Sequence, residues 1–265
     1  MLSEQTQEKL VAMRFHGLAA AFEEYLQERK PDKLTFDERF GLMVDREYAD
    51  RKDRRLKRRL QNAKLREQAC VEDINYRHPR NLDRSVMQRL TTCRWVAERE
   101  NVVLTGATGL GKTWLSCALA QKSCREGYSA YYVRLPRLFH SLQIARADGT
   151  YLKELTRLAK MDVLVLDDLG LAPIGDQERR DLLEVLEDRH GIRSTVVASQ
   201  FPVKKWHTLI GDPTVADAFL DRLLHRAHRI DLKGETMRKP EHEETETKTT
   251  TKPAKKTTTK KATRK

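Results

Sequence analysis

LTGATGLGKT, residues 104–113, decides the fold of this chain because its spacing is that of a phosphate-binding loop. Glycines allow the backbone to turn so that several N–H groups point at one anion. In such a loop the lysine reaches the β- and γ-phosphates, and the hydroxyl of the next residue helps to hold Mg²⁺. The sequence therefore predicts a site for a nucleoside triphosphate and Mg²⁺ in one continuous run: Gly106, Ala107, Thr108, Gly109, Leu110, Gly111, Lys112 and Thr113.

The segments on either side of the loop support this interpretation over a glycine-rich turn without a ligand. NVVLTG, residues 101–106, is a short apolar run that predicts a buried strand. WLSCALAQKSCREG, residues 114–127, has helical spacing and ends at a glycine, which is typical of a helix C-terminus. A strand, a glycine turn and a helix N-terminus together form the usual phosphate site, since the helix presents free N–H groups to the anion.

A second motif, MDVLVLDDLG at residues 161–170, supplies carboxylates. Its apolar run predicts a buried strand that ends in Asp167 and Asp168, and ligands of parallel sheets bind at such strand ends. We expect Asp167 to hold Mg²⁺ through water and Asp168 to orient and polarise the attacking water. Aspartate is one methylene shorter than the glutamate common at the second position of related ATPases. Hydrolysis is therefore expected to be slow, or to wait for a closure that brings the water nearer.

The formal charge of +12 is concentrated in two parts of the 265-residue chain. Residues 51–66 hold nine Lys/Arg against one Asp, and residues 241–265 hold eight Lys/Arg against four Glu, which leaves the rest neutral. Such concentration is typical of a surface that binds a polyanion, most plausibly nucleic acid, although a merely solvated charge run is the alternative. The candidate DNA-binding residues are Arg51, Lys52, Arg54, Arg55, Lys57, Arg58 and Arg59.

Composition also excludes some classes of protein. No apolar run has the length of a transmembrane helix, and the first ten residues lack a signal-peptide pattern. The four cysteines show no close pairing and are interpreted as reduced thiols. We therefore expect a cytoplasmic, nucleoid-associated protein with no membrane partner.

The chain divides into three predicted units. Residues 1–70 are expected to form an all-helical domain that binds DNA or a partner, residues 71–240 an ATPase domain with its connector, and residues 241–265 a disordered Lys/Thr-rich tail. In the first unit, Thr35 and Glu38 form a capping-box pattern. The helix that follows has an apolar stripe that should anchor it, formed by Phe36, Phe40, Met43, Val44, Tyr48, Leu56 and Leu60.

The ATPase unit predicts an α/β fold with a doubly wound parallel sheet, because strands and helices alternate along it. The predicted strands are 101–105, 129–134, 162–167, 192–198 and 228–232. The predicted helices are 112–125, 137–147, 151–160, 177–190 and 214–227.

Polar residues late in the chain are candidates for sensing the nucleotide. Ser199 and Gln200 end a strand expected beside the phosphate loop, where they could contact the γ-phosphate or its water. Arg222 and Arg226 lie on one predicted helix, where an arginine could stabilise the phosphate bound by a neighbouring subunit. Arg238 follows the last strand and could fold back on the nucleotide. Each arginine alone is more often a surface salt-bridge residue.

Taken together, the motifs resemble those of AAA+ ATPases, in the branch of replication initiators and helicase loaders. GATGLGKT, LVLDDLG and the segment from residue 199 to 239 are most similar to the IstB-type helper proteins of bacterial insertion sequences. The resemblance covers about residues 5 to 239. The phosphate motifs are shared by many ATPases, whereas the segment 200–239 is specific to this family.

What the resemblance implies is an ATPase that binds ATP and Mg²⁺, assembles on double-stranded DNA and partners a separate transposase. It implies a homo-oligomer with ATP sites at subunit interfaces. Arg222 matches the arginine-finger position, and Arg238 approximates the second sensor. Gln200 stands where relatives often place asparagine as the first sensor.

Two other functions stay open on the sequence. A loader of a replicative helicase would have the same core, with the N-terminal helices docked on a helicase rather than on DNA. A nucleotide-gated structural protein would bind ATP and hardly hydrolyse it.

Overall fold

The structure is a computed structural model that describes residues 2–27 and 34–237. Its centre is a five-stranded parallel sheet with the strand order β2-β3-β4-β1-β5. The strands are β1 (Asn101–Gly106), β2 (Ala130–Arg134), β3 (Val163–Leu169), β4 (Ser194–Ser199) and β5 (Ala227–Leu232). The predicted α/β class with a doubly wound parallel sheet is confirmed.

Helices cover both faces of the sheet, so its central strands are apolar throughout rather than alternating. Successive residues of β1 show this, because Val102 and Leu104 belong to one buried apolar cluster and Val103 to the other. The described helices are α1 (Leu2–Ala12), α2 (His16–Gln27), α3 (Phe36–Ala63), α4 (Arg84–Thr91), α5 (Arg94–Ala97), α6 (Lys112–Arg125), α7 (Leu135–Ala147), α8 (Tyr151–Lys160), α9 (Asp176–Glu187), α10 (Trp206–Ile210) and α11 (Pro213–Leu224).

Two predicted helices are too long at their C-terminal ends. The helix predicted over 177–190 ends at Glu187, because the chain turns inward at Arg189, whose buried guanidinium donates to the carbonyls of Leu158 and Met161. The helix predicted over 214–227 ends at Leu224. Residues 226 and 227 are drawn into the sheet instead, since Asn101 donates its N–H to the carbonyl of Arg226 and pairs with Ala227.

The long helix α3 begins as predicted. The Thr35 N–H donates to Glu38 Oε2 (2.8 Å) and the Glu38 N–H donates to Thr35 Oγ1 (3.3 Å), which completes the capping box. The helix then runs unbroken for 28 residues. At its C-terminal end Ala63 is fully buried, and Leu56 and Leu60 pack against the core on the α6 side of the sheet.

The N-terminal half of α3 corrects the prediction of one anchored stripe. Phe36 is 79% exposed and Tyr48 is 71% exposed, and Phe40 and Val44 are exposed as well. The reason is that α2 packs on a different face of α3, where Gly17 approaches the backbone at Glu47 and donates its N–H to that carboxylate (2.8 Å). A Cβ on Gly17 would lie 2.9 Å from the Glu47 Cα, so the two helices can approach this closely only because residue 17 is glycine. The contact is therefore made by a small residue and a charged one, and not by the apolar stripe.

The cysteines are free, as predicted, with Cys93, Cys117 and Cys124 buried and Cys70 half-buried. None of the helices within residues 2–27 and 34–237 is both long enough and apolar enough to cross a bilayer. The tail predicted over 241–265 lies outside the described residues.

Candidate nucleotide-binding site

A cavity of about 490 Å³ opens at the carboxyl ends of β1, β3 and β4. This is the edge of a parallel sheet at which ligands usually bind. The cavity brings together most of the residues predicted to bind the nucleotide and Mg²⁺. Those that line it are Thr108, Gly109, Gly111, Lys112, Thr113, Asp167, Asp168 and Gln200.

The phosphate loop connects β1 to α6 and is shaped by backbone conformations that favour glycine. Gly106, Gly109 and Gly111 all have positive φ angles (140°, 86° and 84°). A Cβ on Gly106 would lie only 2.3 Å from the carbonyl oxygen of Leu232, so no other residue fits there without moving β5. Lys112 is largely buried and donates from Nζ to the carbonyl of Ala107 (2.8 Å), which holds it across the loop.

The remaining residues of the phosphate loop fix its position on the core. Leu110 is fully buried beneath the loop and anchors it to the core. Residues 106–111 lead directly into α6, which begins at Lys112 and presents the free N–H groups of its first turn. The arrangement can therefore hold an anion by backbone N–H groups, a helix N-terminus and one ammonium group.

Thr113 and Asp167 form the candidate Mg²⁺ site. The Thr113 hydroxyl donates to Asp167 Oδ2 (2.7 Å), and Asp167 is only 2% exposed. Mg²⁺ prefers oxygen ligands and is usually held by one or two carboxylates together with phosphates. Within residues 2–27 and 34–237 no group of three His, Cys, Asp or Glu side chains could hold a metal by itself. The donor pair therefore fits Mg²⁺ bound together with a nucleotide.

Asp168 lies at an irregularity in the sheet. The register between β3 and β4 shifts between Leu166 and Leu169, and Asp168 has a left-handed φ of 64°, which is uncommon outside glycine. Burial, and then the charge of Asp167, raise the pKa of the Asp168 carboxyl, while the nearby cations Arg134, Arg66 and Lys112 oppose the shift. A partly buried carboxylate with a raised pKa beside a phosphate site suits a group that handles the proton of a water molecule.

The two sensor candidates at the end of β4 differ in their surroundings. Ser199 is buried, and its hydroxyl donates to the carbonyl of Leu169 (2.7 Å) and accepts the N–H of Phe201 (3.1 Å). Both of these hydrogen bonds of the Ser199 hydroxyl are thus made to backbone groups. Gln200 is exposed and lines the cavity, which leaves it as the sensor candidate.

Arg222 lies away from the cavity, near the amino end of β1. Its carbonyl accepts from the Asn101 side chain (3.3 Å), and Asn101 is the first residue of β1, whereas the phosphate loop follows the last residue of that strand. The Arg222 guanidinium hydrogen-bonds the Glu187 carboxylate and the carbonyl of Ala218 (2.9 Å). The whole length of β1 therefore separates Arg222 from the nucleotide site of its own chain.

Arg238 lies outside the described residues. The preceding residue, Met237, lines the cavity and donates its N–H to the carbonyl of Gly109 (2.9 Å).

The DNA-binding candidates occupy the second half of α3. Lys52, Arg54, Arg55, Lys57 and Arg58 are exposed, whereas Arg51 and Arg59 are half-buried. Two of them are paired within the helix, Arg51 with Glu47 (2.5 Å) and Arg54 with Asp50 (3.0 Å). Among the residues that the structure describes, no carboxylate forms an ion pair with Arg55, Lys57 or Arg58.

The sequence interpretation missed the contribution of the connector before β1. Arg66, Glu67, Asp73, Asn75 and Arg80 all line the cavity. Arg80 is 2% exposed and donates to the carbonyl of Leu110 (2.8 Å), so it supports the back of the phosphate loop, and burial lowers the pKa of its guanidinium. The available signal was the polar run NYRHPRNLD, residues 75–83, which carries two arginines directly before α4.

Comparison with known sequences identifies the family. The family model described as IstB-like ATP binding protein matches residues 8–245. A protein of Sinorhizobium fredii named as an insertion sequence ATP-binding protein is 48% identical over 239 residues, which are 90% of this chain and 98% of that protein. The ATP-binding protein of insertion sequence IS1162 from Pseudomonas fluorescens is 47% identical over 76% of this chain and 88% of its own length.

Solved structures agree in fold. The structure of DnaI is 23% identical and covers 63% of this chain and 92% of that protein, with a TM-score of 0.53. The DnaC helicase loader is 22% identical and covers 64% of this chain and all of the other, with a TM-score of 0.52. At these identities the likeness concerns the fold alone, an α/β fold around a parallel sheet. The chain belongs to the IstB-like family of ATP-binding proteins, the family found in insertion sequences.

Proposed function

We propose that this protein is an ATPase that assembles on double-stranded DNA when it binds ATP and then recruits a partner transposase. The observation that carries the proposal is the single cavity that holds the phosphate loop, the Thr113–Asp167 pair and Asp168. The kinship with ATP-binding proteins of insertion sequences supports a role in transposition. Residues 71–240 would form the ATPase domain, and residues 1–70 the part that binds DNA or the partner, with the protein associated with the nucleoid.

The candidate residues of the cavity divide the tasks of hydrolysis between them. Lys112 and the N–H groups of the loop would neutralise the phosphates, and Thr113 and Asp167 would hold Mg²⁺. The metal, when bound, would supply further neutralisation of phosphate charge. Asp168 orients the attacking water and polarises it, and Gln200 contacts the γ-phosphate or that water. Arg238 is proposed to complete the nucleotide site.

The position of Arg222 favours a homo-oligomer with shared sites. An arginine at the amino end of β1 cannot serve the nucleotide held at the carboxyl end of the same strand. It can serve a nucleotide only across an interface, where its charge stabilises the transferring phosphate of the neighbouring subunit. We therefore propose that each ATP site lies between two subunits.

A test of the proposed function compares ATP turnover with and without duplex DNA, and DNA retention with and without ATP. We expect DNA to raise the turnover and ATP to be required for stable retention. Turnover that stays negligible with DNA, in a protein that binds ATP normally, would favour a nucleotide-gated structural protein instead.

The basic surface of α3 should make DNA binding steeply dependent on salt. Each phosphate that a lysine or arginine neutralises contributes about 0.9 to the slope of log K against log salt concentration. Replacing Arg55, Lys57 and Arg58 by alanine should flatten that slope by roughly 2 to 3 and weaken all duplex sequences alike. Fluorescence anisotropy with two unrelated duplexes over a salt series measures both effects.

The matched control removes three exposed arginines that lie outside α3. Arg94, Arg99 and Arg193 are exposed near the amino end of the sheet. Their replacement by alanine changes the net charge equally and should leave the slope almost unchanged. Equal slopes in the two triple variants would contradict the assignment of the DNA contact to α3.

A further inference from the structure

Asp167 receives a hydrogen bond that the proposed hydrolysis does not explain. The Tyr132 hydroxyl donates to Asp167 Oδ2 (2.8 Å), the same oxygen that accepts from Thr113. Tyr132 is 7% exposed and lies on β2, where it pairs with Val165 of β3, two residues before Asp167. Burial and the charge of Asp167 raise the pKa of the Tyr132 phenol, so the hydroxyl keeps the proton that it donates.

Tyr132 is also close to the end of α3. β2 is an edge strand of the sheet, and the C-terminal end of α3 packs along it. Ala63, the last residue of α3, is buried in the same apolar cluster as Tyr132, and the Lys64 ammonium lies 5.8 Å from the centre of the Tyr131 ring. The helix that carries the basic surface therefore ends against β2, the strand whose Tyr132 donates to the magnesium carboxylate Asp167 on β3.

Arg66 completes the connection between them. It follows the C-terminus of α3 by three residues, lines the nucleotide cavity, and its guanidinium lies near the Tyr132 phenol. Arg66 also lies near Asp168, whose negative charge it partly offsets. The side chains of Tyr132 and Arg66 thus lie between the end of α3 and the two aspartates of the site, Asp167 and Asp168.

If the hydrogen bond from Tyr132 had only a structural role, it would do no more than satisfy the buried Asp167 carboxylate. A carboxylate that holds a metal has a further requirement. It must be held in one orientation, and the groups that hold it usually change metal affinity by about 10- to 100-fold when removed. Thr113 cannot do this alone, because its hydroxyl is itself expected to contact Mg²⁺. The Asp168 N–H holds the other carboxylate oxygen, Oδ1 (2.9 Å). The buried phenol of Tyr132 is the side chain that, besides Thr113, orients Oδ2 of Asp167.

We propose that Tyr132 is a positioning residue for the magnesium carboxylate Asp167, and that Arg66 ties this residue to α3, so that DNA held by α3 alters Mg²⁺ binding and hydrolysis. The link to DNA rests on the proposed function. The orientation of Asp167 by Tyr132 does not.

The first experiment replaces Tyr132 by phenylalanine, which removes only the hydroxyl. Binding of a fluorescent, non-hydrolysable ATP analogue is titrated with Mg²⁺, and the midpoint of the Mg²⁺-dependent change is measured. We expect the midpoint to rise by about tenfold or more in Tyr132→Phe, with analogue binding in the absence of Mg²⁺ unchanged. Tyr131→Phe, which removes the hydroxyl of the adjacent residue, is the matched control and should keep the wild-type midpoint. A wild-type midpoint in Tyr132→Phe would overturn the positioning role.

The second experiment tests the link to α3 with Arg66→Gln and the control Lys64→Gln. Both variants lose one charge near the end of the helix, but Lys64 lies over Tyr131 rather than beside Tyr132. At saturating DNA, we expect Arg66→Gln to lose most of the stimulation of ATP turnover by DNA and Lys64→Gln to keep it. Full stimulation in Arg66→Gln would overturn the link.

The two experiments separate failure of this inference from failure of the proposed function. If wild-type turnover does not respond to DNA at all, the proposed function fails and the link to α3 fails with it. The Mg²⁺ titration needs neither DNA nor hydrolysis, so it still decides the role of Tyr132.

Discussion

Asp168→Asn protein is expected to bind ATP as the wild type does, to hydrolyse it at least about a hundredfold more slowly, and to remain on DNA long after the wild type has dissociated. The substitution keeps the size of the side chain and removes the charge that polarises water. Asp167 and Thr113, which we propose to hold Mg²⁺, are untouched, so the ATP-bound assembly should still form. If hydrolysis dismantles that assembly, blocking hydrolysis traps it.

The lifetime of the protein–DNA complex after a chase with competitor DNA, with ATP present throughout, measures this effect. Asp148→Asn is a suitable control, because Asp148 is an exposed aspartate in the turn after α7 and away from the cavity. It should behave as the wild type does. Slow hydrolysis together with wild-type dissociation would show that ATP is hydrolysed to load the protein onto DNA rather than to release it.

Arg222→Ala protein is expected to bind ATP normally and to lose about a thousandfold in hydrolysis, the lower range for an arginine that stabilises the transferring phosphate. Its own phosphate loop is intact, and the missing charge belongs to the site of its neighbour. Lys112→Ala protein has the opposite defect, a damaged loop with an intact Arg222. Mixing the two should therefore restore part of the activity, because some interfaces then combine an intact loop with an intact arginine.

Turnover measured over a series of mixing ratios tests this, with each variant first shown to be folded and able to exchange subunits. Arg226→Ala is the comparison, since it removes an exposed arginine four residues later, in the turn between α11 and β5. It should retain most of the activity. No rescue at any ratio would contradict a site shared between subunits, and a larger loss in Arg226→Ala would transfer the role to that residue.

The parts that the sequence predicted well are those set by local patterns. The phosphate loop needs glycines at positions with positive φ, and the strand before it and the helix after it follow from apolar runs and a glycine stop. The aspartates of β3 were placed correctly because a buried parallel strand delivers its last residues to the ligand edge of the sheet. Helix ends were predicted less well where tertiary contacts decide them, as at Arg189 and Ala227.

What the sequence could not show are contacts between segments far apart in the chain. Tyr132 stands in an apolar strand, and nothing in its spacing indicates that its hydroxyl reaches Asp167, 35 residues later. The connector residue Arg80 reaches Leu110 across 30 residues, and its polar surroundings predicted only a linker. The exposed stripe of α3 was misjudged for the same reason, because helical periodicity gives a common face but not the element that covers it.

We propose that the ATP-bound protein on DNA recruits a transposase rather than a replicative helicase. To test this, duplex DNA is immobilised, Asp168→Asn protein is loaded with ATP, and a transposase of an insertion sequence that carries an IstB-like protein and a replicative helicase are added in turn. Lys112→Ala protein is the control that cannot form the ATP-bound state. We expect the transposase to be retained only with Asp168→Asn protein and ATP, and the helicase not to be retained. Retention of the helicase without the transposase would contradict the proposed recruitment of a transposase and identify a helicase loader.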